Sequence, residues 1–113
     1  MRKSDKKIDN QIIKALTDVC HSALEDIDGF EWLTHTVNFD QFPESLKIVC
    51  VFDSHIKLAN YIKSSDNDHL TSLIEHSLNN IGIKLKNAKK QITLDSEEHC
   101  ASQHAGNWHQ RLS

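Results

Sequence analysis

Residues 46–53, Leu46-Lys47-Ile48-Val49-Cys50-Val51-Phe52-Asp53, decide the fold. In an extended segment Leu46, Ile48, Cys50 and Phe52 share one face, while Val49 and Val51 make the opposite face apolar as well. Burial on both faces predicts a central strand. The preceding stretch FEWLTHTVNF (30–39) is rich in aromatic and β-branched residues and predicts a second strand, joined to the first through the turn DQFPES (40–45). A short connection between sequential strands predicts an antiparallel pair.

On the N-terminal side, Ile8, Ile12, Ala15/Leu16, Val19, Ala23 and Ile27 recur at steps of three and four. That spacing predicts one long helix from about residue 6 to 28, with Gly29 where a C′ glycine belongs. Cys20 and His21 fall beside the stripe and read as packing and boundary residues. On the C-terminal side, DSHIKLANYIK (53–63) predicts a second helix with Asp53 or Ser54 as N-cap. DNDHLTSLIEHSLNNIG (66–82) predicts a third, its apolar side formed by Leu70, Leu73, Ile74, Leu78 and Ile81, with Gly82 at its end. IKLKNAKKQITLD (83–95) alternates at Ile83 and Leu85 and again at Ile92 and Leu94, which predicts a hairpin or two short strands around KNAKK. Asp95 and Glu98 make a capping-box variant for a short last helix. The expectation is a single α+β domain over residues 1–113 in the order α-β-β-α-α-β-β-α. An antiparallel sheet of about four strands packs with the helices, and residues 1–5 form a flexible basic start.

With 38% hydrophobic and 26% charged residues, the 113-residue chain has the composition of a soluble domain. Its longest strongly apolar run, residues 48–52, is far short of the ~20 residues of a membrane helix. MRKSDKKIDN leads into an amphipathic pattern, so no secretory leader is expected. Three scattered cysteines, Cys20, Cys50 and Cys100, argue against a disulfide framework and for the cytoplasm. The net charge of −3 selects no polyanion, yet the distribution is uneven. Residues 15–46 hold seven acids and no Lys or Arg, whereas Arg2, Lys3, Lys6 and Lys7 cluster at the start and Lys84, Lys86, Lys89 and Lys90 cluster later. Those two basic groups are the candidate nucleic-acid contacts.

The stretch SEEHCASQHAGNWHQRLS (96–113) carries the remaining candidates. Cys100 and His104 stand at i and i+4 on a helix, and His109 could fold back as a third ligand. A thiolate with imidazoles suits zinc or a similar ion. The competing reading is a small buried cysteine beside exposed histidines. Trp108 and Arg111 either pin the C-terminus to the domain or form a hot-spot anchor for a partner. Glu97 and Glu98 fit a helix first turn, where the dipole favours acids. Asp53-Ser54-His55 places three catalytic residue types in a row, but consecutive side chains cannot form a relay, and an N-cap explains them better. The three isolated glycines form no phosphate loop. No catalytic residue and no organic cofactor are expected.

The stretches ALTDVCHSAL, FEWLTHTVNFDQFPESLKIVCVFD and GNWHQRL resemble a group of small gammaproteobacterial proteins that carry the label "Fis-family transcriptional regulator". The resemblance spans nearly the whole chain and implies DNA binding through a C-terminal helix-turn-helix. From the residues themselves, the leading expectation is a cytoplasmic, non-enzymatic protein-interaction module. Its contact surfaces would be the acidic first helix and the Trp108–Arg111 segment. The alternatives are a nucleic-acid-associated regulator and a metal-binding protein.

Overall fold

The structure, a computed structural model, describes residues 2–65 and 67–112. The fold is α+β. The first helix, α1 (Lys3–Asp26), buries Ile12, Ala15, Leu16, Val19 and Ala23, the positions that its three-and-four spacing places on one side. Residues 3–5, expected as a flexible start, are its first turn, and Met1 lies outside the described residues. Ile27 N–H closes the last turn on the Ala23 carbonyl at 2.9 Å, and Gly29 turns the chain at a φ of +86°. A Cβ at Gly29 would lie 2.4 Å from Cβ of Lys57, so close packing as well as backbone conformation requires glycine.

Strand β1 (Phe30–Thr36) runs antiparallel to β2 (Lys47–Phe52), as the short connection predicts. The register pairs Trp32 with Val51, Leu33 with Cys50 and His35 with Ile48, and a bulge at Glu31 restores Phe30 opposite Phe52. β2 is the middle strand, and its last five residues are all buried. Ile48, Cys50 and Phe52 face the main core, which they share with α1 and with Leu58 and Tyr61 of α2 (His55–Lys63) and Leu70, Ile74 and Leu78 of α3 (His69–Asn80). Ser54 is the N-cap of α2, accepting from Lys57 N–H at 3.2 Å. Asp66, where the sequence pattern starts the third helix, lies outside the described residues.

The structure corrects the expected four-stranded antiparallel sheet. The described residues form three strands in the order β1-β2-β3, and β3 (Ile92–Ser96) runs parallel to β2, pairing Ile48 with Ile92 and Phe52 with Ser96. The KNAKK segment is not a turn between strands: residues 88–91 form the short helix α4 (Ala88–Gln91). Ile83 and Leu85 alternate because a segment outside any strand buries both in the core cluster. Alternation reports alternate burial and does not by itself supply a neighbouring backbone for hydrogen bonds. The buried Gln91 amide makes this segment hold its shape: Nε2 donates to the carbonyls of Pro43 (2.8 Å) and Leu46 (3.0 Å), while Oε1 accepts from Asn87 N–H (2.9 Å). The chain then ends in α5 (Glu97–His104) and α6 (Trp108–Leu112), over the second face of the sheet. The observed order is therefore α-β-β-α-α-α-β-α-α.

Candidate nucleic-acid interface

Strand directions decide where the lysines go. β2 and β3 are parallel, so both begin at one end of the sheet, and antiparallel β1 ends there, with Thr36 opposite Lys47. The segment 37–46 precedes β2 and the segment 82–91 precedes β3, so both belong to that end. Gln91 joins them through Pro43 and Leu46, and Lys86 joins them again through Glu44 at 2.5 Å. The first turns of α1 reach the same end, because His35 Nε2 and Asp9 Oδ1 are hydrogen-bonded at 2.8 Å. Two basic stretches some eighty positions apart in sequence thus share one end of the molecule.

The charge there is one-sided. Segments 2–10, 37–47 and 82–91 contain nine of the thirteen Lys and Arg residues but four of the sixteen Asp and Glu. The formal charge is +5 at this end, against −8 for the rest of the chain. Three of the four acids, Asp5, Asp9 and Glu44, are held by Arg2, His35 and Lys86. The Lys86 ammonium, through its hydrogen bond, holds the Glu44 carboxyl below the usual carboxylate range. Lys84, Lys86, Lys89 and Lys90 are all exposed, as are Arg2, Lys3, Lys6 and Lys7. Lys47, a residue the sequence reading did not single out, adds to the same end from the first position of β2. Its only sequence signal was its place at the mouth of the central strand.

The C-terminal candidates are engaged internally. Trp108 packs edge-on against Trp32, with ring centroids 4.9 Å apart and planes at 82°. Both indole N–H groups donate to the carboxylate of Glu97, Trp32 at 2.5 Å and Trp108 at 3.2 Å. Arg111 grips Asp95 with two parallel bonds, Nε at 2.6 Å and Nη2 at 2.8 Å, and Nη1 reaches Gln103 Oε1 at 2.7 Å. Burial pushes the Asp95 carboxyl up, but the hydrogen bonds from Arg111 and from Ser96 N–H outweigh it, and the net shift is downward. The anchor pair for a partner, Trp108 and Arg111, is thus built into a clasp that the sequence reading held as its other option. Glu98, the second first-turn acid, accepts from His55 N–H at 2.7 Å and so caps α2.

The proposed metal ligands are not gathered. Cys100 is fully buried, and burial pushes its thiol pKa up, away from the thiolate that a metal needs. His104 Nδ1 lies 3.1 Å from Nη1 of Arg111, and His109 is exposed on α6. Among the described residues no group of three or more His, Cys, Asp or Glu side chains is placed to hold a metal ion. Cys100 and His104, spaced i, i+4, share a helix face, but that face need not meet a metal. Here the buried thiol and the Arg111-facing imidazole serve packing.

A polar cleft of about 510 Å³ lies away from the basic end, between the C-terminal part of α1, α2 and the start of α3. Its polar groups pair with one another, His69 Nε2 with Asp26 Oδ2 at 3.2 Å and Lys57 with Asp28. Ser64 Oγ donates to the Tyr61 carbonyl at 2.7 Å, so it is not aligned as a nucleophile on His69. Among the described residues no helix is long and apolar enough to cross a membrane. No family model matches the sequence, and the curated proteins and solved structures contain no match to it.

Proposed function

We propose that the chain is a binding module whose basic end engages the phosphate backbone of a nucleic acid. One observation carries this reading: the fold assembles nine cationic side chains from three separate segments at one end and ties up three of the four nearby carboxylates. Lysines on a flexible stem suit sequence-independent phosphate contacts, which position a protein on its target without reading bases. The acidic remainder of the molecule repels the polyanion and so orients the approach. The reading does not draw on α5 and α6 as a groove-entering pair. α6 has five residues, and its single arginine is committed to Asp95.

The test is a fluorescence-anisotropy titration with labelled single-stranded and duplex oligonucleotides. Four phosphate contacts would give a logarithmic salt slope of about −3.6, or roughly 150-fold weaker binding on going from 50 to 200 mM salt. Replacing Lys84, Lys86, Lys89 and Lys90 with Gln should abolish most of that slope, whereas Lys63→Gln, at the opposite end, should leave it unchanged. Absence of binding at low salt, or a quadruple variant that binds as well as the native chain, removes the proposal.

A further inference from the structure

Among the described residues β1 is an edge strand, hydrogen-bonded to β2 on one side only. Proteins protect such edges with Lys, Pro, bulges or cover. Here the bulge at Glu31 protects the first residues, but Trp32–Thr36 contains no Lys, Arg, Asp, Glu, Pro or Gly. Beside this strand α1 presents a second unpartnered feature. Ile13, Thr17, Cys20 and Leu24 follow one another at steps of four, three and four, the spacing of a helix–helix seam. Ile13 is 47% and Leu24 51% exposed, two of the four large apolar side chains that stand out from the surface among the described residues. A groove of about 370 Å³ runs between helix and strand, with Ile13, Thr17 and Cys20 on one wall and Leu33 and Thr34 on the other.

We propose that a second copy of the chain closes this face, β1 pairing antiparallel with β1 of the second copy and α1 packing antiparallel on its α1. A two-fold interface must be self-complementary, and this surface meets that condition twice over. First, α1 and β1 are antiparallel within the chain, since Asp9 reaches His35 near one end of the strand while Thr17 and Cys20 stand beside Leu33 and Thr34 at its middle. The midpoint of the helical seam, between Thr17 and Cys20, therefore coincides with the midpoint of the strand, and one axis serves both. Second, such an axis sets Ile13 against Leu24 of the second copy and Thr17 against its Cys20, so apolar meets apolar. A second copy supplies these complements by symmetry. The inference stands on the sheet edge and α1, independently of the nucleic-acid reading.

Sedimentation velocity and light scattering of the full chain, up to on the order of 100 µM, test it. The expected mass is twice the 12.9 kDa of the monomer. Ile13→Glu with Leu24→Glu, both at exposed positions, should return the monomer mass with an unchanged circular dichroism spectrum. Separately, Ile13→Cys with Leu24→Cys in a Cys20→Ser background should give a covalent dimer on mild oxidation. Eleven helical positions span about 16 Å, too far for a disulfide within one chain. A native chain that stays monomeric throughout, a dimer that survives the glutamates, or cysteines that do not cross-link would each overturn the proposal.

Discussion

Replacing Arg111 or Asp95 by Ala, singly and together, measures what fastens the C-terminal helices to the sheet. The pair is largely shielded, with side chains 14% and 17% exposed, and its two bonds of 2.6 and 2.8 Å are parallel and charge-assisted. Exposed ion pairs contribute about 0–1 kcal/mol. A bidentate, sheltered one should show a coupling of roughly 2 kcal/mol, near the value of hydrogen bonds to charged groups. Arg111→Ala should lose more, about 3 kcal/mol, because Asp95 keeps an uncompensated charge and Gln103 also loses its partner. For 113 residues the unfolding entropy scales to about 0.24 kcal/mol/K, so that loss lowers Tm by about 12 °C. Urea unfolding read by tryptophan fluorescence suits the measurement, since Trp32 and Trp108 both sit in the clasp. Acid provides an internal check. The folded Asp95 carboxyl titrates below its ordinary range, so its contribution is complete above the unfolded value near 3.9. That contribution declines as pH falls through the lower folded pKa, and the gap between native chain and Asp95→Asn should close over the same interval. A coupling below about 0.5 kcal/mol at pH 7 would mean that Arg111 behaves as a solvated surface side chain, and the clasp argument would fail.

Two backbone positions make opposite predictions. Gly29→Ala meets both a φ of +86° and the Lys57 side chain, and should cost at least about 2 kcal/mol in chemical unfolding; a neutral result would show that the α1–β1 turn relaxes freely. Ala105, which ends α5 at a φ of +51°, should become more stable as glycine, by roughly 1 kcal/mol, and a lower Tm for Ala105→Gly would contradict the left-handed cap. Burial pushes the Cys50 thiol up to about 12 and raises that of Cys100, so iodoacetamide at pH 8 should leave both unmodified in the native chain and label all three cysteines in urea. Rapid native labelling of Cys50 would place it outside the core.

Local physics made most elements legible. The run of residues 46–53 identified the middle strand because burial on both faces leaves no polar alternation, and the Gly29 and Ser54 punctuation marked a helix end and a helix start that the backbone confirms. Residues 83–91 were misread because Ile83 and Leu85 carry a strand-like period without a strand beside them, while Asn87 and Gln91, whose amide bonds shape the segment, look from sequence like ordinary surface residues. The clasp was half visible. Trp108 announced that it needed burial, but its partners Trp32 and Glu97 are 76 and 11 positions away, and no local pattern encodes such distances. The Cys100–His104 spacing resembled a ligand pair for the same reason: spacing fixes a shared helical face and says nothing of what that face meets.

The misread hairpin and the unforeseen meeting of the two basic stretches share one cause. A hairpin around KNAKK would have sent the four lysines to whichever end its turn occupied, with no necessary relation to Arg2 through Lys7. A parallel β3 removes that freedom. Parallel neighbours must begin at the same end, so the chain has to return across the domain through α2 and α3 before entering β3. That return delivers residues 82–91 beside the entry to β2, where Gln91 and Lys86 fasten them to segment 37–46 and where Asp9 and His35 already hold α1. The charge separation of +5 against −8 is therefore a consequence of strand direction acting on two basic stretches that are unremarkable singly. Exchanging the lysines of the two stretches for acids of the far end would leave every strand pairing intact and reverse the polarity. The fold and the proposed binding surface can thus be perturbed independently.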